Sequence, residues 1–394
     1  MVKQKREQVL VFCSREICYS SGNFFAFQLG AAFEELGYEV TVCEFTKEDD
    51  FDEKLGPFIG RKFRLIVDFN SLLPRLAMDD GTPFIEQLDG PFYDYILDHP
   101  LFHYNGLVSK GKNFHAIVLD ENQCEYVRRY HPQIKSVHML PLGATKALFD
   151  GQKNAADHIL FMGTYDKPEA VYEIVKASPE PIKSIMKDLI ERRIADPLLP
   201  MEEALRLNLK TSCVQLSEKE FAVYMNNMYP VDAYIRDYFR KAAIDELLNK
   251  KIPVLVVGEG WEKYDAVNPR YLTCERPVNF ELSFEKIAHE QLLLNVSPIF
   301  NRGVHDRVLA GMANRAAVLT DENPYLNMHF KDKQNIALYS LNKLETLSTL
   351  AGELMESKEL REEIQKNAFA EFVLRHTWRA RAERLLSYET GVAL

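Results

Sequence analysis

The stretch that most restricts how this chain can fold is residues 292–325, LLLNVSPIFNRGVHDRVLAGMANRAAVLTDENPY. An apolar run at 292–296, turn chemistry at 301–303, helical spacing over 306–313 and a second apolar run at 316–320 spell strand, turn, helix, strand. Such a βαβ unit commits the chain to parallel pairing. Its turn aims the free backbone N–H groups of the helix start at one point, which attracts phosphate. Gly303 lets a ligand approach the backbone beside Val304, while His305 and Arg307 in the first turn add charge-assisted donors. An ordinary connection with a solvated His and Arg fits the same residues.

At 394 residues and 46% hydrophobic content the chain is too long for one core. The expected division is a Rossmann-like domain over 1–154, a second over 155–374 with a helical insertion at 168–250, and a terminal helix over 375–394. A net charge of −10, from 48 Lys and Arg against 58 Asp and Glu, argues against broad nucleic-acid binding, which needs a basic surface. The apolar run at 9–13 is too short for the core of a signal peptide, and no run approaches a membrane helix. Cys13, Cys18, Cys43, Cys124, Cys213 and Cys274 are scattered without a CxxC pair and read as reduced residues of a cytoplasmic protein.

The first third alternates strand and helix signals. Strands are expected at 8–13, 39–45, 63–68, 115–119 and 136–140, and a helix at 23–36 carries Phe25, Leu29, Ala32, Phe33 and Leu36 on one face before Gly37. The first turn, SREICYSSGNF, holds only Gly22, so the fold is Rossmann-like without a nicotinamide site. Ligands of such sheets bind outside the carboxyl ends of the strands. Position alone therefore nominates Gly22, Asn23, Asn70, Ser71, Asp98, His99, Asp120 and Glu121. In the second half a strand at 158–162 opens into Gly163 and Thr164. A largely helical section follows, interrupted at Pro179, Pro181, Pro197 and Pro200; its last helix, at 231–249, leads to a strand at 252–257. Beyond Asp321 the chain reads as mostly helical. The fold class is α/β: two doubly wound domains facing one another across a cleft.

The segments ILFMGTY at 159–165, VDAYIRDYFRKAAIDELLNKKIPVLVVGEGW at 231–261, the stretch at 292–330 and the closing HTWRARAERL resemble the C-terminal domain of GT-B glycosyltransferases of the CgeB-like, group 1 type. LDHP at 97–100 and MLPLGA at 139–144 resemble segments of the same group's N-terminal half. The resemblance implies a nucleotide-sugar donor held mainly by the second domain, an acceptor held mainly by the first, and a terminal helix packing back on the first. It puts Arg276 and Val278 where such folds hold the base. In one place the chain departs from the group: the usual R-x-x-E-A-M-A begins here at Arg307 with Ala310 in place of the ribose-binding Glu. Asp321 or Glu322 is then the neighbour left to supply that contact.

A departing diphosphate needs its charge stabilised; the resemblance implies that helix-start N–H groups and cationic side chains do this rather than a bound metal, and Gly303, Val304, His305 and Arg307 suit that work. The acidic stretches at 49–53 and 78–81 read as solvated turns, so no metal and no resident cofactor are expected. For the base that takes the acceptor proton the candidates are Asp98 and His99, held extended by Pro100. A capping Asp with an ordinary His explains that pair too. Asp120 is the runner-up, and capping of the following helix explains it nearly as well. Arg375, Arg379, Arg381 and Arg384 should lie mainly on an exposed face of the terminal helix, solvated or touching an anionic membrane. The acceptor class is a protein, lipid or polysaccharide. A GT-B-like partner subunit without turnover and a sugar-nucleotide epimerase remain alternatives.

Overall fold

The structure is a computed structural model that describes residues 6–14, 21–148 and 151–390. It divides into two units, 1–143 with 376–394, and 144–375, so the first boundary falls between Gly143 and Ala144 rather than near Ala155.

The first unit runs β1 (Gln8–Cys13), α1 (Ser21–Glu35), β2 (Glu39–Glu44), α2 (Phe51–Leu55), β3 (Leu65–Phe69), β4 (Phe92–Tyr95), α3 (Tyr104–Leu107), β5 (Phe114–Val118), α4 (Glu121–Tyr130) and β6 (Ser136–Met139). All its strand pairs are parallel, in the order β2-β1-β3-β4-β5-β6. Strands β3, β4 and β5 are buried along their whole length, as expected for a parallel sheet covered on both faces. The order reverses between β1 and β3, which makes the carboxyl ends of those two strands the topological switch point.

The second unit contains β7 (Ile159–Met162), the helices α5 (Pro168–Ala177), α6 (Ile182–Ala195), α7 (Met201–Thr211), α8 (Glu218–Asn226) and α9 (Tyr229–Asn249), then β8 (Val254–Val257) and β9 (Leu272–Glu275). It continues with α10 (Phe280–His289), β10 (Leu292–Asn295), α11 (Asp306–Ala313), β11 (Ala317–Asp321), α12 (Pro324–His329), β12 (Ala337–Tyr339), α13 (Glu345–Glu356) and α14 (Lys358–Arg375). Its sheet is again wholly parallel, in the order β12-β11-β10-β7-β8-β9, with the switch between β7 and β10. Strand β12 lies in the region expected to be mostly helical. Three residues, ALY, are too short for their periodicity to register.

The chain returns to the first unit in α15 (Trp378–Thr390). The Trp378 indole lies against Gly143, where an added Cβ would press to 2.6 Å from the ring, and 5.8 Å from the Phe25 ring of α1. Tyr93 of β4 donates to Glu389 at 2.6 Å. Arg381 corrects the expectation of an exposed basic face: it is buried, and donates to the Leu142 carbonyl at 3.2 Å and to His376 Nδ1 at 2.9 Å. Arg375 and Arg379 are exposed. No helix among the described residues is long and apolar enough to cross a membrane.

Candidate active site

At the switch point of the second unit, β7 ends in Gly163 and Thr164, and β10 leads through a loop to α11, which begins at Asp306. Gly258, at the end of β8, has φ 157°, and a Cβ there would collide with the Gly163 carbonyl oxygen. The two loops therefore touch backbone to backbone, and Trp261 Nε1 closes the contact by donating to the Gly163 carbonyl at 2.7 Å. Arg307 reaches back over this floor: its guanidinium stands 5.4 Å from the Phe161 ring centre, and a Cβ on Gly163 would sit 3.4 Å from its Nη2.

Arg240 approaches the same ring from α9, at 6.0 Å, and donates to the Thr164 carbonyl at 3.2 Å. Its side chain is 12% exposed, and its buried Nε has no partner among the described residues. Burial, then the nearby Arg236 and Arg307 charges, push its pKa down to about 9, although Asp237 stands at 3.7 Å. Burial also lowers the pKa of Arg307. No carboxylate lies within ion-pair distance of Arg307 among the described residues; one of its nitrogens donates to the Asn295 amide oxygen at 2.7 Å. Two half-buried cations short of counter-charge are costly unless an anion completes them.

The helix start itself differs from the expectation. His305 is the cap of α11, with Nδ1 3.1 Å from the Arg307 backbone nitrogen and 2.6 Å from the Asp306 carboxylate. One ring nitrogen cannot accept from the first and donate to the second, so the Arg307 N–H is freed only when that nitrogen carries a proton. Burial would raise Asp306, but the His305 ring and then Arg307 hold it at about 2, so an anion sits in this first turn. Gly303 and Val304 are buried, and the Gly303 carbonyl accepts from Asn323 at 3.0 Å: they are packing, not an open cradle. Arg276 and Val278 stay on the exposed loop between β9 and α10, at the sheet edge. Ala310 is buried within α11, and Asp321 is committed to the Ser297 N–H at 2.8 Å, which leaves Glu322 as the half-buried acid beside them.

In the first unit the corresponding corner is acidic. Asp68 and Asp94 are register partners on β3 and β4, both fully buried. Asp94 accepts from the Ser71 backbone N–H at 2.8 Å and from its hydroxyl at 2.5 Å, and Asp68 from the Leu73 N–H at 2.8 Å. These bonds hold Asn70 and Ser71 in the left-handed region, at φ 56° and 55°, a conformation that L residues adopt only under constraint. Asn70 so placed accepts from the Leu97 N–H at 2.7 Å and donates to the Asp98 carboxylate at 3.2 Å. The Asp98 side chain is 47% exposed, with His103 Nε2 at 4.0 Å.

His99 is a different object. It is buried edge-on to Tyr126, and its Nδ1 accepts from the Leu101 N–H at 3.0 Å, capping the turn that follows. Asp120 is buried as well and caps α4 through the Asn122 N–H at 2.8 Å. Asp120 fits its capping explanation, whereas in the Asp98–His99 pair the cap is the buried histidine and not the aspartate. Gly22 and Asn23 lie in the first turn of α1, at the β1 side of the switch; Ser20 and Cys18 fall outside the described residues. The acidic turns do local work: Asp49 takes the Thr46 N–H at 2.8 Å, Asp50 caps α2, and Asp80 takes the Thr82 N–H at 2.9 Å. Among the described residues no group of three or more His, Cys, Asp or Glu could hold a metal ion.

Residues 236–387 match the model of a family described as glycosyl transferase-like. Solved structures match over nearly the whole chain. A sucrose-phosphate synthase from Thermosynechococcus elongatus aligns at TM-score 0.55 and 12% identity, covering 98% of this chain and 99% of that one. The chain has the two-domain GT-B fold of these proteins. An α-glucosyltransferase solved with UDP and DNA has the same fold at TM-score 0.53 and 10% identity, over 97% of this chain and 100% of its own. AviGT4, a glycosyltransferase of avilamycin A biosynthesis, aligns at TM-score 0.51 and 12% identity, over 98% and 99%. No curated protein sequence matches. The cationic corner carries two residues that sequence reasoning passed over, Arg236 and Arg240. Their i, i+4 spacing was the available signal: it lies beside the buried stripe Ile235, Phe239, Ala243, and so resembles a solvated helix face.

Proposed function

We propose that the enzyme transfers a sugar from a nucleotide-sugar donor to a hydroxyl of a protein, lipid or polysaccharide acceptor, without a metal. The observation that carries this reading is Arg307, a half-buried guanidinium at the β7/β10 switch point with no carboxylate in ion-pair range among the described residues, reinforced by Arg240 on the same aromatic floor. As the bond between the sugar's anomeric carbon and the diphosphate oxygen breaks, negative charge grows on the leaving group. Preoriented guanidiniums in a half-buried setting oppose that charge without reorganising. Asp98, accessible and fixed by Asn70, accepts the proton of the attacking hydroxyl as the new glycosidic bond forms. The order of the motifs supports assignment to the CgeB-like group, and the free cysteines among the described residues support a reducing, cytoplasmic setting.

Calorimetry with UDP, GDP, ADP and dTDP tests the donor half of the reading. Arg307→Ala should weaken binding of the preferred diphosphate by about 1.5–3 kcal/mol, the range for a hydrogen bond to a charged group, and Arg240→Ala should weaken it in the same direction. Unchanged affinity in both variants would remove the assignment.

A further inference from the structure

We infer that Asn295 is a positioning residue of the donor site, fixing the Arg307 guanidinium before any ligand arrives; this rests on the donor reading above. Asn295 is the last residue of β10 and is 1% exposed. Asn is a poor strand residue, and a buried amide is costly unless its hydrogen bonds are made, so packing gives no reason for it after the run Leu292, Leu293, Leu294. Its surroundings give one. A guanidinium can only donate, so the amide oxygen is the atom that faces Arg307 Nη1 at 2.7 Å. The amide nitrogen then points the other way and donates at 2.9 Å to the Thr320 hydroxyl, on the residue paired with Asn295 in register. The Asn295 backbone is held in turn by the buried Tyr339 hydroxyl, which donates to its carbonyl at 2.8 Å. The amide cannot flip without losing both side-chain bonds and presenting N–H groups to a cation.

The consequence is energetic as well as geometric. An arginine side chain carries substantial rotamer freedom, which a ligand would otherwise have to remove on binding. With Asn295 and Thr320 in place, part of that ordering is already present in the free protein, and preorganisation of this kind appears as affinity.

The test is a double-mutant cycle on the full chain, reading diphosphate affinity by calorimetry with UDP, GDP, ADP and dTDP. Asn295→Ala should weaken binding about fivefold to twentyfold in the wild-type background and not at all in the Arg307→Ala background, because its effect passes through Arg307. Thr320→Val removes only the anchor of the amide and should weaken binding about twofold to fivefold; it replaces Asn295→Ala if that variant does not fold. Asn295→Asp keeps an acceptor for Arg307 but adds a competing charge, so it should fold and still bind more weakly. Equal losses from Asn295→Ala in both backgrounds would mean a general structural effect and overturn the inference. So would wild-type affinity in Asn295→Ala and Thr320→Val while Arg307→Ala is impaired, an outcome that leaves the donor reading standing. If Arg307→Ala is itself unaffected, or the wild type binds none of the four, the donor reading fails and this inference falls with it.

Discussion

The two strand-end corners use the same device and load it with opposite charge. In the first unit the Ser71 N–H, from the loop leaving β3, is donated to Asp94 on β4; in the second the Ser297 N–H, from the loop leaving β10, is donated to Asp321 on β11. Each tie joins a loop to the neighbouring parallel strand, and each buried carboxylate is pushed up to about 6, first by burial. What stands beside the tie differs. The first corner adds Asp68, Asn70 and Asp98, and the second adds Arg307 and Arg240. The shared part is architecture; the contrast holds the chemistry, an acid corner suited to taking a proton and a cationic corner suited to a leaving diphosphate.

The largest effect should come from breaking the acid corner at its accessible member. Asp98→Asn should cut turnover by about 10²–10⁴, the usual contribution of a general base, while diphosphate affinity stays at the wild-type value. Diphosphate release from a panel of nucleotide sugars, with and without candidate acceptors, measures the first, and calorimetry the second. His99→Ala should instead lose about 0.5–2 kcal/mol of stability as a missing cap, with turnover per folded molecule retained. If the two variants exchange these behaviours, the base is His99 and the contrast between the corners is misdrawn.

The shared ties can be compared by pH. Asp94 and Asp321 have folded-state pKa values of about 6 against roughly 3.9 unfolded, so between pH 4 and 6 the folded state binds more protons. Stability is therefore greatest at the acid end of that window and falls as pH rises through it, by at most about 3 kcal/mol per group. Asp94→Asn and Asp321→Asn should each flatten this slope in urea titrations at pH 4.5, 5.5 and 7. Asp94→Asn should flatten it more, because after burial the Asp94 charge is the next cause that raises Asp68. Equal flattening by the two variants would mean that Asp68 does not titrate with its neighbour.

How much of this was legible beforehand depends on whether a residue's job is local. Helix α11 begins and ends where spacing put it, and α4 follows Asp120 as a cap-and-helix pattern, because apolar periodicity and capping act within one turn. Strand β4, FYDY, was missed: its Asp is buried only because Ser71, from another strand's loop, satisfies it. Asp98 was nominated by position, but a capping His99 and an Asn70 that holds Asp98 were not, since nothing local tells a cap from a base or announces two consecutive left-handed residues. The expectation at Gly303 failed for a similar reason. The glycines that the corner needs are Gly163 and Gly258, and that need arises from two loops meeting across the sheet.

The smallest effect belongs to the opposite end of the second unit's switch point, where β7 and β10 begin. There Glu290, 2% exposed, lies 2.9 Å from His158 Nε2 and accepts from the Asn154 amide at 2.9 Å, and Lys153 donates to the carbonyls of Ala288, Glu290 and Asn314 at 2.8, 2.7 and 3.0 Å. This acid has its counter-charge, whereas Arg307 at the other end does not. Hydrogen bonding to Glu290 raises the His158 pKa, so the pair's contribution on the histidine side is complete below about pH 6.5 and is lost as pH rises through the raised value. Burial would raise Glu290, but the His158 hydrogen bond and charge lower it overall, so the carboxylate side is complete above about pH 4.5 and is lost as pH falls through the lowered value. His158→Gln should therefore cost about 1 kcal/mol near pH 6, less at pH 8.5, and leave diphosphate binding unchanged. Thermal unfolding at the two pH values, paired with calorimetry, measures both. A loss of nucleotide affinity in this variant would show that the amino ends of these strands also set the donor site, and that satisfied and unsatisfied charges do not separate structure from chemistry here.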